Sequence, residues 1–187
     1  MSDKYVRWRN CQEPGSLMFV TTTCLGYTPA LLNPRQKERL LSTLAAECQY
    51  HGALLHAFCV MDHHLHLVIR APLMMSMSKF MQSFKRRSAS ELLDTATPYV
   101  RASLLREIKD DRSFWMRSFR GIPIRSEQVM WACVKYVHLN PVRAGICACP
   151  EEYAWSSAWI FESCLWTESE GVLPERGRGD RHSRLWR

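Results

Sequence analysis

Residues Ala53–Arg70 read ALLHAFCVMDHHLHLVIR, and this stretch decides the fold. Ala53–Met61 and His64–Arg70 are two apolar runs of strand length and composition. Asp62 lies between them, which is the layout of a hairpin. In the second run His64 and His66 alternate with Leu65 and Leu67. Both imidazoles therefore leave one face of the strand, while Leu65, Leu67 and Ile69 leave the other. By the same alternation His63 falls on the Leu65 side, as a turn or rim residue.

Working outward, Leu17–Thr23 (LMFVTTT) has the β-branched and aromatic content of another strand. Between it and the hairpin the sequence predicts a helix over 34–51, with Asn33 as N-cap, Pro34 in the first helical position and Gly52 past the end. Beyond the hairpin, Ser76 to Leu93 is amphipathic. Met77, Phe80, Met81 and Phe84 recur at i, i+3, i+4, i+7, and Lys79, Lys85, Arg86 and Arg87 occupy the remaining face. Pro98 is expected to break this helix or begin a linker, and Ser113–Phe119 to form a strand or turn. Ser126 caps a last helix expected to reach about Leu139, with Pro141 helping to end it. The order predicts an α+β fold, a ferredoxin-like β-α-β-β-α-β core with an antiparallel sheet plus a C-terminal helical segment. Residues 1–165 form one domain in this reading. Residues 166–187, rich in Arg and Gly from Pro174 onward, form a basic, mobile tail.

The chain has 187 residues, 47% of them hydrophobic, and a formal net charge of +7. That suffices for one core, and the charge suits a polyanionic partner or simply a basic surface. No secretory signal is visible in Met1–Trp8, and no apolar run approaches the ~20 residues of a membrane span. The reading is a cytoplasmic protein without a membrane partner. Its eight cysteines are then reduced thiols, mostly small core residues. No CxxC pair occurs, which disfavours a small zinc protein.

Two constellations carry chemistry. Two imidazoles on one rigid strand face make half of a metal site, although a His-x-His pair is also common as plain structure. The second is Tyr136-Val137-His138-Leu139-Asn140-Pro141-Val142-Arg143-Ala144-Gly145. Tyr136 and Asn140 stack one turn apart, so an amide oxygen and a phenol share a face. A tyrosine can attack phosphorus and form a covalent intermediate. Yet Val129, Ala132, Cys133 and Tyr136 also form one apolar stripe, where a tyrosine is usually core. From the residues alone, both readings stand.

Taken together, the stretch Cys59–Ile69 and the Tyr136–Gly145 run resemble the histidine and tyrosine motifs of the single-tyrosine HUH transposases, and in particular their REP-associated branch. Phe84-Lys85 and Tyr153-Ala154-Trp155-Ser156-Ser157 fit the same branch, and the resemblance runs from about residue 17 to 159. It implies a metal-dependent endonuclease and strand transferase acting on single-stranded DNA hairpins. Tyr136 would form the 5′-phosphotyrosine, with His64, His66 and Asn140 holding Mg2+ or Mn2+. It implies hairpin DNA as partner and a homodimer as one mode of working. Two positions depart from the family. Asp62-His63 stands where Pro-Asn is usual, and Trp115-Met116 where Trp-Gln is frequent. Lys85, Arg86, Arg87, Arg117, Arg120 and Arg125 are the candidate phosphate contacts, with Trp115 and Phe119 as base-stacking platforms. The alternative function is a hairpin-binding module that has lost catalysis.

Overall fold

A computed structural model of the chain describes residues 13–107 and 113–160. The tail expected over 166–187, and the domain boundary at 165, lie outside the described residues.

Four strands, β1 (Leu17–Thr23), β2 (Leu54–Val60), β3 (His64–Arg70) and β4 (Arg120–Pro123), form one antiparallel sheet in the order β2-β3-β1-β4. Helices α1 (Pro34–His51) and α2 (Met77–Asp94) follow β1 and β3. This is the ferredoxin-like arrangement that the sequence predicts. One face of the sheet, carrying Met18, Val20, Leu65, Leu67 and Ile69, packs on Leu40, Leu44, Phe80 and Phe84 of α1 and α2. The other face, carrying Phe19, Ala57, Cys59 and Val68, packs on Cys133, Val134 and Val137 of α4 (Glu127–Arg143).

The hairpin of β2 and β3 contains a register shift between Leu55 and Ala57. One extra residue reverses the alternation of a strand. Leu55 therefore pairs with Ile69 on the α1/α2 side, while Ala57 and Cys59 pair with Val68 and His66 on the α4 side. Without the shift, Leu55 and Cys59 would share a face.

Local signals explain most helix ends. Asn33 Oδ1 accepts from the Arg35 amide at 3.0 Å, and Gly52 closes α1 with φ 74°, a left-handed conformation that glycine adopts without a Cβ penalty. Ser76 and Ser126 cap α2 and α4. Two prolines behave differently from expectation. Pro98 begins a further helix, α3 (Pro98–Glu107), with Thr97 Oγ1 accepting from the Val100 amide. Thr-Pro is here the same start signal as Asn33-Pro34. Pro141 lies inside α4, which continues to Arg143. The helix ends instead at Gly145 (φ 69°), where Gly145 N donates to Val142 O and Ile146 N to Pro141 O. That pair of bonds is a Schellman termination.

The last strand lies later than expected. Within Ser113–Phe119, Trp115 makes only an isolated bridge to Cys24, and the ladder with β1 forms over Arg120–Pro123. Pro123 sits there without conflict because β4 is an edge strand. The opposite edge, β2, is covered by the chain around Trp155–Ser157, with Val60 N donating to Trp155 O and Ser157 N to Phe58 O. Among the described residues no helix is long and apolar enough to cross a membrane.

Candidate active site

Register sets the first row of the site. Cys59, His66, Thr21 and Arg120 are direct cross-strand neighbours across β2, β3, β1 and β4, and directly opposed residues project from the same face. His66 is fully buried, and its Nδ1 lies 2.8 Å from Thr21 Oγ1. When Nδ1–H donates to that hydroxyl, Nε2 keeps the lone pair that a ligand needs. The His64 ring stands 4.6 Å from the His66 ring. His64 Nε2 is buried without a hydrogen-bond partner. Burial pushes the His64 imidazolium down to about 3, helped by neighbouring His63. Burial likewise holds His66 well below the usual histidine range. Both rings are therefore neutral at pH 7.

Helix α4 brings the second half. The Tyr136 ring packs edge-on against His66 at 5.7 Å and against Phe19 at 5.6 Å. Tyr136 is half-buried, so its stripe is core along part of its length and its ring lies at the margin of that core. Asn140 Nδ2 donates to the Tyr136 carbonyl at 2.8 Å, and the Asn140 side chain stands close enough to His66 to favour its protonated form. With Nδ2 tied to the helix, Oδ1 is the acceptor turned toward the imidazole. The four residues singled out as His64, His66, Tyr136 and Asn140 thus meet on one sheet face.

This donor set tests well against a divalent cation. The buried nitrogen of His64 lacks a partner, the imidazoles are neutral, and an amide oxygen faces them. Among the described residues, no group of three His, Cys, Asp or Glu side chains is placed to hold a metal. Two imidazoles and an amide would leave the remaining positions to solvent or substrate.

His63 departs from its expected side. Its ring lies 4.5 Å from the His64 ring, because strand alternation does not govern the turn in which it sits. That turn is held firmly. Asp62 Oδ1 accepts from the nearly buried Lys37 ammonium at 2.9 Å, and Lys37 also donates to Tyr153 Oη at 2.9 Å. Tyr153 in turn donates to Val60 O at 2.7 Å, and the Cys24 and Leu31 amides donate to His63 O and Asp62 O. The Asp62-His63 turn is thus stabilised by an ion pair reaching from α1.

The DNA candidates separate by side of the sheet. Arg120 shares the row of His66 and Thr21, and Arg117 and Arg125 are exposed in the segments flanking β4. The α2 cations belong to the opposite face. Lys85 Nζ donates to the carbonyls of Met116, Arg117 and Ser118, and burial pushes its pKa down to about 8. Lys85 is therefore a clamp on that loop rather than a phosphate contact. Arg87 pairs with Glu47 and Glu91, and Arg86 is exposed beside it along the α1/α2 groove. Trp115, expected to stack on bases, is 5% exposed and donates Nε1–H to Ser88 Oγ at 3.0 Å. Phe119 packs partly buried against the same core. Trp115 is thus core rather than a stacking platform, because an aromatic beside arginines reads alike in a core and in a binding groove.

Residues that the sequence reading passed over also bear on the site. Thr21 is visible only once the pairing of β1 with β3 is known. Tyr27 is exposed, has a positive φ of 57°, and holds its ring 6.2 Å from His63; a bulky residue adopts that backbone rarely. Arg143 places its guanidinium carbon 5.3 Å from the Tyr136 ring centre.

Residues 16–140 match a protein family described as transposase, IS200-like. No curated protein matches the chain. Among solved structures, a REP-associated tyrosine transposase bound to a REP hairpin is similar at 18% identity and a TM-score of 0.68, over 92% of this chain and 98% of that one. A putative transposase from Deinococcus radiodurans R1 shows 19% identity and a TM-score of 0.45, over 77% of this chain and 92% of its own. At 18% identity the likeness to the REP-associated transposase is one of fold.

Proposed function

The chain belongs to the IS200-like transposase family, and from that premise we propose that it is a metal-dependent single-stranded DNA endonuclease and strand transferase with Tyr136 as nucleophile. The observation that carries this reading is the meeting of a half-buried phenol with two neutral imidazoles and an amide on one face of the sheet. His64 Nε2, buried without a hydrogen-bond partner beside the His66 ring, is an atom that a bound cation would satisfy.

In the reaction the Tyr136 oxygen forms a bond to the scissile phosphorus and the P–O3′ bond breaks. The electron pair leaves on O3′, which takes up a proton as the phenol proton passes to solvent. The product is a 5′-phosphotyrosine and a free 3′-OH. The phosphodiester energy is retained, so the reverse attack by a 3′-OH rejoins the strand without ATP. Phe19 and His66 fix the plane of the Tyr136 ring, which restricts the phenol to a narrow range of attack directions. With Thr21 Oγ1 accepting from Nδ1–H, His66 takes the tautomer whose Nε2 can act as a ligand.

His64, His66 and Asn140 would hold a divalent ion, which when bound polarises a non-bridging phosphate oxygen. A mixed nitrogen and oxygen set favours Mn2+ over Mg2+, whose preference is for an all-oxygen octahedron. The substrate class is single-stranded DNA folded as a hairpin. The fold supports this, since the similar REP-associated transposase is bound to a REP hairpin. The cytoplasm, where such DNA is replicated, is the compartment of action.

The test is incubation with Mn2+ and single-stranded repeat hairpins, followed by denaturing electrophoresis. The wild-type chain is expected to give a denaturation-resistant adduct. Tyr136→Phe is expected to give none while still retarding the hairpin in a native gel. An adduct with the Phe variant would remove Tyr136 from the nucleophile's role. Retardation without any adduct for the wild type would instead leave a binding module.

A further inference from the structure

Arg143 follows Tyr136 by seven residues, two helical turns, so both side chains leave the same face of α4. It does so only because the helix runs through Pro141 to Arg143. A helix that stopped near Leu139 would have left Arg143 in a loop. The guanidinium lies over the Tyr136 ring, 5.3 Å from its centre, a cation–π arrangement that holds a long side chain in place. Arg143 is exposed and forms no ion pair among the described residues. Arg87, by contrast, is engaged by two carboxylates, and Arg70 by the Gly15 carbonyl.

We propose that Arg143 is a further catalytic residue, whose guanidinium binds a non-bridging oxygen of the phosphate that Tyr136 attacks. This rests on the strand-transferase reading above and adds to it the group that neutralises the reacting phosphate. A phosphate brought to the phenol arrives beside the ring over which this guanidinium is held. As the Tyr136–phosphorus bond forms and the P–O3′ bond breaks, negative charge stays on the equatorial oxygens. A planar guanidinium can donate two parallel hydrogen bonds to them, where a lysine offers a point charge. After cleavage the same contact holds the phosphotyrosine beside its anchor until a 3′-OH returns.

The experiment compares wild type, Arg143→Ala and Arg143→Lys in single-turnover adduct formation at saturating hairpin and Mn2+. Arg143→Ala is expected to slow the step about 100- to 1,000-fold, as loss of one preorganised donor does. Its Mn2+ affinity and melting temperature should stay at wild-type values, and its hairpin affinity should fall by only a few-fold, far less than the rate. Arg143→Lys is expected to recover at least tenfold of the loss. An Ala variant as fast as wild type overturns the proposal. So does a Lys variant no faster than Ala, or a rate loss matched by an equal loss of hairpin or metal affinity. A wild type that forms no adduct overturns the strand-transferase reading itself, and this role with it; the two failures are told apart by the wild-type lane.

Discussion

Asn140 is tied to Tyr136 through the backbone: its Nδ2 donates to the Tyr136 carbonyl one turn earlier, at 2.8 Å. The amide cannot then rotate freely, and its oxygen is the atom left to face the nearby His66. One residue thereby couples the position of the nucleophile's helix to the imidazole pair on the sheet. That coupling matters because reacting groups must be held within fractions of an ångström to gain from proximity.

The first prediction concerns this amide. Asn140→Ala removes both the oxygen facing His66 and the link to the Tyr136 carbonyl. Mn2+ affinity, measured by electron paramagnetic resonance titration, should fall at least about tenfold. Asn140→Asp keeps an oxygen ligand and should lose much less. Helix content should be preserved in both, since the helix terminates at Gly145. An Ala variant that binds Mn2+ as tightly as wild type would show that Asn140 is not a ligand.

A second prediction follows from the histidines. In the folded metal-free protein burial holds His64 down to about 3, His138 down to about 4, and His66 well below its usual value. In the unfolded chain each titrates near 6.5. Below pH 6.5 the unfolded state therefore binds more protons than the folded state, and stability must fall as pH falls. Each histidine contributes a slope of up to about 1.4 kcal/mol per pH unit. The loss from His138 continues to about pH 4 and that from His64 to about pH 3. Urea midpoints at pH 7, 6 and 5 in chelator should decline progressively. His138→Gln, which removes the ring bonded to Ser157 Oγ at 2.7 Å, should reduce the slope by about one histidine's share. Equal midpoints at pH 7 and 5 would contradict the neutral burial of these rings.

The third prediction tests the turn that presents the histidines. Lys37→Met removes the ammonium between Asp62 and Tyr153. Asp62 is partly exposed and Tyr153 keeps its bond to Val60 O, so the cost is moderate, about 1–3 kcal/mol. Mn2+ affinity should fall together with stability, because the same turn sets the angle of His64. If melting temperature drops while Mn2+ affinity is unchanged, the network supports the fold and not the site.

These particulars show how far the sequence could be read. The hairpin, the caps at Asn33 and Ser126, and the shared faces of His64 with His66 and of Tyr136 with Asn140 are local properties, set by periods of two and 3.6 residues. They were legible for that reason. The fate of Pro141 was not, because the signal that ends α4 is Gly145 and the proline is carried inside the helix. Nor was the role of Trp115: its partner Ser88 lies 27 positions away, and only the packing of α2 brings the two together. The site of Lys85 followed the same rule. Its charge pointed to phosphate, while its actual acceptors are three carbonyls of a loop more than thirty residues on.

The division of the cations between the two faces gives the last prediction. Arg120 projects from the face that bears His66 and Thr21, whereas Lys85 and Arg87 lie on the helical face of the sheet, bound to protein acceptors there. Arg120→Ala should weaken hairpin binding and reduce the salt slope, the fall of log K with log[salt], by nearly one counterion. Arg87→Ala should leave that slope unchanged. Lys85→Ala should cost stability, about 1–3 kcal/mol for carbonyls that lose a buried donor, again with the slope preserved. Fluorescence anisotropy across a salt series separates the three. A slope reduced by Lys85→Ala or Arg87→Ala and untouched by Arg120→Ala would move the DNA to the helical face, away from Tyr136, and would be incompatible with cleavage at the imidazole pair.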